Sequence, residues 1–200
     1  MKKGAFITLY GINNIGKSTH AKLLLKYLKN RGIKAIYLKF PNYDIKPTGP
    51  KINKTLRSPE GQKISEDELQ LWFVLNRYQT LPQIKKLLRE NYIVLAEDYT
   101  GTGIAWGIAK GLKEDWLVSA NNNLIKEDLA ILIDGKRNMS AKEKNHVHEQ
   151  NDILAEKCRK VHLNLAKKFG WRIVNLRKEK KDTFAAIREV VDEFLAGRYY

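Results

Sequence analysis

Nine consecutive residues near the start of the chain, Gly11-Ile12-Asn13-Asn14-Ile15-Gly16-Lys17-Ser18-Thr19, have the types and spacing of a phosphate-binding loop: Gly, four residues, then Gly-Lys-Ser. Each type has its own chemistry. Glycine lets the backbone turn tightly and aim successive N–H groups at phosphate oxygens. Lys17 supplies a point charge for the β- and γ-phosphates of a nucleotide, and the Ser18 hydroxyl is suited to a magnesium ion. A helix starting here turns its positive end toward the same anion. A pattern this long should occur by chance in a chain of this length only about one time in a hundred.

The flanking residues support the reading. Ala5 to Tyr10 is a short apolar run, the mark of a buried strand, and His20 to Leu28 is apolar at helical spacing and stops at Gly32. Strand, glycine loop, helix is the arrangement that positions such a loop. Further strands are predicted at Ala35 to Phe40, Tyr92 to Ala96, Leu129 to Ile133 and Arg172 to Leu176, and a polar segment with Pro47, Gly49, Pro50 and Pro59 follows the second strand. Between them, a helix is predicted from Ser65, where Asp67 and Glu68 mark its first turn, and a second from Gln83 to Glu90 opened or kinked by Pro82. Another helix follows a break at Gly101 and Gly103. The stretch from Ser140 to Phe169 is helical with a polar front half, and Thr183 to Leu195 closes the chain with an amphipathic helix. Short continuous apolar strands alternating with helices predict an α/β fold: a five-stranded parallel sheet with helices on both faces, of the P-loop NTPase type. Ligands of such a sheet bind at the carboxyl ends of its strands.

Composition sets outer limits. The 200 residues carry a formal charge of +15, 43% apolar residues and one cysteine, Cys158. No repeat, linker or low-complexity stretch divides them, so one domain over 1–200 is predicted. No apolar run approaches the roughly 18 residues of a membrane span. One cysteine excludes an intramolecular disulfide framework and points to the reducing cytoplasm. The positive charge favours nucleotides or nucleic acid as partners, but the lysines are scattered as on an ordinary solvated surface. His20, His146, His148 and His162 form no metal-ligand pattern with Cys158.

A second constellation narrows the reaction. Within Leu71-Trp72-Phe73-Val74-Leu75-Asn76-Arg77-Tyr78, Phe73 and Arg77 are four apart and share one helical face. An aromatic face stacks on a base and a guanidinium donates to its carbonyls, although a core phenylalanine beside a surface arginine has the same spacing. Read together with Phe40-Pro41, Glu97-Asp98-Tyr99, Thr102-Gly103-Ile104-Ala105-Trp106, Asp115-Trp116 and Glu127-Asp128-Leu129, these residues resemble the thymidylate (dTMP) kinases, in order, over about residues 5–176.

The resemblance implies ATP-dependent phosphorylation of dTMP with Mg2+. It places ATP on Gly11 to Thr19 and the metal at Ser18 and Glu97. It implies Phe73 stacked on thymine, Arg77 on its O4, Thr102 at the base edge and Trp106 against the 2′ carbon of the sugar. Lys39, Phe40, Pro41 and Asp98 would border the acceptor. A lid near 136–150 would bring Lys136, Arg137 and Lys142 to the transferred phosphoryl, with Lys17, Glu97 and Arg137 as the catalytic set. A homodimer is implied too. The chain departs from the family where an acid is usual in the loop and Asn13 stands, and where Asp-Arg becomes Glu97-Asp98. An acid at position 98 cannot hold an acceptor phosphate. Three outcomes are open for Asp98: it binds magnesium beside Glu97, it pairs with a cation that replaces the missing arginine, or the acceptor site is weakened; the second is the expectation, with Lys39 as the cation and Lys46 and Arg57 as other candidates. The alternatives are a kinase for another deoxynucleoside or monophosphate, a P-loop ATPase or nucleic-acid-binding protein, and a relative that binds nucleotide without turnover.

Overall fold

The computed structural model describes residues 4–58, 62–136 and 151–199. Five strands, β1 (Ala5–Tyr10), β2 (Ala35–Lys39), β3 (Ile93–Glu97), β4 (Leu129–Asp134) and β5 (Arg172–Asn175), form one parallel sheet in the order β2-β3-β1-β4-β5. All six residues of β1 are buried, as expected of a central strand covered on both faces. Its side chains alternate between two cores. Ala5, Ile7 and Leu9 cluster with Leu24 and Leu28 of α1 (Lys17–Asn30) and with Ile187 and Val191 of α7 (Lys180–Tyr199). Phe6 and Tyr10 cluster with Leu81 and Ile84 of α3 (Glu66–Arg89) and Ala166 of α6 (Asp152–Phe169). The expected α/β architecture is the one found.

Three helical expectations change. Pro82 neither opens nor ends a helix: α3 runs unbroken through it. A mid-helix proline costs about 3 kcal/mol, and burial of Leu81 and Ile84 on either side of it offsets that. The N-terminal signal was correct, since Ser65 caps α3 by accepting from the Glu68 N–H. The proline-rich polar stretch contains α2 (Thr48–Leu56), whose Ile52 and Leu56 pack against Leu69 of α3. Two glycines expected to precede a helix lie inside α4 (Thr100–Ala109), and a short α5 (Glu114–Ala120) follows. The glycines serve close approach. A Cβ at Gly101 would sit 2.4 Å from the Trp171 ring, and one at Gly103 would sit 2.9 Å from the Arg77 guanidinium. Of the expected lid, Lys136 is described and Arg137 and Lys142 lie outside the described residues.

Candidate functional site

The register of the sheet assembles the site. Leu9 of β1 and Lys39 of β2 both align with Glu97 of β3, and the Asp98 N–H donates to the Leu9 carbonyl at 3.1 Å. The loop after β1, the acids after β3 and the end of β2 therefore converge at one edge. Together with α3 and α4 they line a cleft of about 640 Å³.

The phosphate loop has the backbone its residues predict. Gly11 and Gly16 have φ of 144° and 98°, and Asn14 takes the left-handed region at 63°, which asparagine tolerates better than most residues. The buried Lys17 ammonium donates to the carbonyls of Gly11 and Ile12 at 2.8 and 2.9 Å, folding back along the loop it follows. Ser18 Oγ donates to Glu97 Oε1 at 2.6 Å. Tyr37, a residue the sequence did not single out, donates its hydroxyl to Glu97 Oε2.

Lys39 does not pair with Asp98 as expected. Its ammonium lies 3.2 Å from Glu97, because the β2–β3 register sets those two residues side by side. The cation on Asp98 is Lys17, at 3.7 Å, and Thr102 Oγ1 donates to Asp98 Oδ1 at 2.6 Å. The two acids consequently differ. Burial pushes Glu97 up, but the Lys17 and Lys39 charges and its two hydroxyl donors outweigh that and hold its carboxyl below the usual range. Burial is also the largest influence on Asp98 and raises it; Lys17 opposes and the Glu97 charge adds to the rise. Lys39 is drawn down by burial, yet Glu97 reverses this and leaves the ammonium above its usual range. Ser18 Oγ beside the Glu97 carboxylate suits a hard divalent cation, which takes one or two protein oxygens and completes its shell with phosphate and water.

Across the cleft, α3 and α4 face each other. Phe73 packs on Ile52, Leu56 and Leu69 and also lines the cleft. Arg77 is a buried cation with no carboxylate partner among the described residues. Its Nε donates to Asn121 Oδ1 at 3.1 Å and its Nη1 to the Tyr99 carbonyl at 3.2 Å, and its Nη2 has no partner among the described residues. Burial lowers its pKa to about 10, which leaves it charged at neutral pH. Thr102, Gly103 and Trp106 of α4 line the same cleft, Trp106 with only an edge exposed.

Asn76, between Phe73 and Arg77 in the same helix, is fully buried. Its amide accepts from the Asn42 N–H and donates to the Asn42 carbonyl, both at 2.8 Å, and donates to Thr48 Oγ1 at 2.9 Å. It thereby ties α3 to the segment after Phe40 and Pro41, which carries Tyr43 and leads to Arg57 on the cleft. The only signal in the sequence was a polar residue on the apolar side of a helix. On the loop side, Lys136, Arg177, Lys178 and Lys180 line the cleft and put four cations near the phosphate loop.

Comparison with known proteins agrees with this geometry. The sequence profile of the family described as Thymidylate kinase matches residues 9–187. The thymidylate kinase of Thermosipho melanesiensis is 32% identical over 201 residues, covering 95% of this chain and 98% of that protein. The thymidylate kinase of Dictyostelium discoideum is 25% identical over 195 residues, covering 96% of this chain and 86% of its own. The solved thymidylate kinase of Candida albicans superposes with a TM-score of 0.81 at 24% identity, covering 96% of this chain and 92% of that one, and so shares the fold. Since the profile runs from the first strand into the last helix and relatives align nearly end to end, the chain belongs to the thymidylate kinase family.

Proposed function

We propose that the protein transfers the γ-phosphoryl of ATP to dTMP, giving ADP and dTDP. The observation that carries this is the shared cleft: the phosphate loop opens at one end and the Phe73–Arg77 face at the other, with Glu97 and Asp98 between them. Phosphoryl transfer asks for in-line positioning and charge neutralisation in a water-poor site, not for covalent help. A phosphate acceptor is already an anion and needs no general base.

The chain's residues divide the work. The loop from Gly11 to Thr19 holds the ATP phosphates, and Lys17 leaves its carbonyl partners to meet them. Ser18 and Glu97 would hold Mg2+, which would supply charge neutralisation on the transferred group. Tyr37 and Lys39 fix the Glu97 carboxylate by hydrogen bond and charge. Phe73 stacks on thymine, Arg77 presents Nη2 to its O4, and Trp106 leaves no room beside the 2′ carbon. Phe40, Pro41, Tyr43 and Arg57 border the acceptor phosphate, so Arg57 is the cation placed to take over the missing arginine's work. The chain acts as a single kinase domain, with Lys136 on the loop side of its cleft. The buried thiol of Cys158 suits a cytoplasmic protein. Leu71 and Leu75, one turn apart on α3 and 46% and 48% exposed, are placed to pair two copies in a homodimer.

Asp98 also favours a second reading, a kinase for another deoxynucleoside acceptor, because a buried carboxylate repels a monophosphate. Steady-state ADP release with dTMP, thymidine, dUMP and dCMP separates the two readings: the proposal requires dTMP to have the highest kcat/KM, and a higher value with thymidine defeats it.

A further inference from the structure

Ser18 Oγ and Glu97 Oε1 are the two oxygens suited to a divalent cation, and a cation of the chain's own stands on both. Lys39 Nζ lies 3.2 Å from Glu97 Oε1 and 3.5 Å from Ser18 Oγ. The other carboxylate oxygen, Oε2, accepts from the Tyr37 hydroxyl, so Ser18 and Lys39 share Oε1. The second ammonium near the acids, that of Lys17, is turned instead to the Gly11 and Ile12 carbonyls and to Asp98. Strand register puts Lys39 in its place. It pairs with Glu97 across β2 and β3, and the Phe40 N–H donates to the Glu97 carbonyl at 2.9 Å. The backbone on both sides is therefore fixed, and what can move is the lysine side chain. It is 50% exposed, against 4% for Glu97.

Magnesium bonds its oxygens at about 2.1 Å. On Ser18 Oγ and Glu97 Oε1 it would meet the Lys39 ammonium at close range, and like charges beside a buried carboxylate repel strongly. One cation has to give way. A bare divalent ion offers the displaced lysine no new partner. A metal–nucleotide complex brings phosphate oxygens, which an ammonium can follow into the cleft. We infer that Lys39 is a specificity-determining residue of the cation site: its ammonium excludes the free divalent ion, and the site accepts the metal together with nucleotide phosphates. The inference rests on the reading of Ser18 and Glu97 as the metal pair and adds the order in which that pair is filled. Lys39 neutralises Glu97 until nucleotide arrives and then turns to the phosphates.

The test measures Mn2+ binding without nucleotide, read from the electron paramagnetic resonance signal of the free ion. It compares the wild-type protein with Lys39→Met, Lys39→Arg and the double variant Lys39→Met/Glu97→Gln. Lys39→Met should bind Mn2+ at least about tenfold more tightly than wild type. Lys39→Arg keeps the charge and should stay within about threefold of wild type. The double variant should lose the gain, which places the ion on Glu97. Lys180→Met removes a cleft cation that makes no ion pair with Glu97, and should also stay within about threefold. With saturating ADP, the difference between wild type and Lys39→Met should shrink below about threefold, because the phosphates take the ammonium. Nucleotide-free Lys39→Met within about threefold of wild type overturns the inference, and so does an equal gain in Lys180→Met or a tenfold difference that persists with ADP. If Lys39→Met does not fold, as read from its melting curve, Lys39→Gln, which keeps a donor for Glu97, takes its place. Glu97→Gln alone should weaken Mn2+ binding to the ADP complex. Unchanged binding there is a separate result, which counts against Ser18 and Glu97 as the metal pair.

Discussion

Asp98→Asn removes one charge from the centre of the cleft and keeps the side chain's shape. Asp98 Oδ1 lies 3.7 Å from Lys17 Nζ, with side chains only 13% and 5% exposed. Two unit charges at that separation attract by about 4.5 kcal/mol at an effective dielectric of about 20. Desolvation of both groups cancels most of this, leaving a net of about 1–2 kcal/mol. ATP must displace that interaction to recruit Lys17, and it must also approach the Asp98 charge. Asparagine relieves both costs and retains an oxygen for the Thr102 hydroxyl. Titration calorimetry without divalent cation should therefore show ATP bound roughly five- to thirtyfold more tightly by the variant. Added Mg2+ should shrink the gain by screening the carboxylate in the wild type. dTMP should bind more tightly too, since its phosphate no longer meets an anion. In a Lys17→Met background most of the ATP gain should disappear, because the exchange of partners is gone. Weaker ATP binding by Asp98→Asn, confined to Mg2+-containing buffer, would refute the reasoning and make Asp98 a metal ligand.

Three further outcomes follow from other parts of the molecule. His162 is buried, with Nδ1 3.0 Å from the Cys158 carbonyl, and burial lowers its pKa to about 4 from 6.5. The unfolded chain gains a proton below pH 6.5 that the fold refuses until about pH 4, so stability should fall by about 3 kcal/mol across that window. Urea melts should show this loss, and His162→Gln should flatten it. Leu75→Glu should convert a dimer into a monomer in sedimentation velocity; an unchanged dimer would remove this face of α3 from the interface. Trp106 should disfavour ribonucleotides: an unpaired 2′-hydroxyl costs about 1–3 kcal/mol, so dTMP should exceed its ribose counterpart about tenfold or more in kcat/KM, and equal use would displace Trp106 from the sugar.

What the sequence made legible was local. The phosphate loop is a contiguous pattern, and the strands are apolar runs that need no partner to be recognised. Ser65 was readable as a cap for the same reason. The helix α2 was hidden because Pro47, Gly49 and Pro50 read as a loop, whereas Ile52 and Leu56 gain their helix from packing against Leu69. Pro82 was overridden by tertiary burial. The expected Lys39–Asp98 pair failed on register: which acid a β2 lysine meets depends on a strand pairing that sequence spacing does not encode. Tyr37 was hidden for a related reason: a tyrosine in a strand is ordinary until the fold sets its hydroxyl on Glu97.

The central claim is that one cleft holds a phosphoryl donor at the loop and a thymine nucleotide at α3. Its most direct measurement is initial-rate ADP release with Mg2+–ATP and dTMP, for the wild-type protein and for folded Lys17→Ala and Arg77→Ala. The account predicts dTMP-dependent turnover in the wild type. Lys17→Ala should lose roughly a hundredfold or more in kcat, the scale of removing one charge-stabilising group. Arg77→Ala should lose affinity for dTMP while its KM for ATP stays unchanged. ADP release that ignores dTMP, or that persists in folded Lys17→Ala, would contradict it.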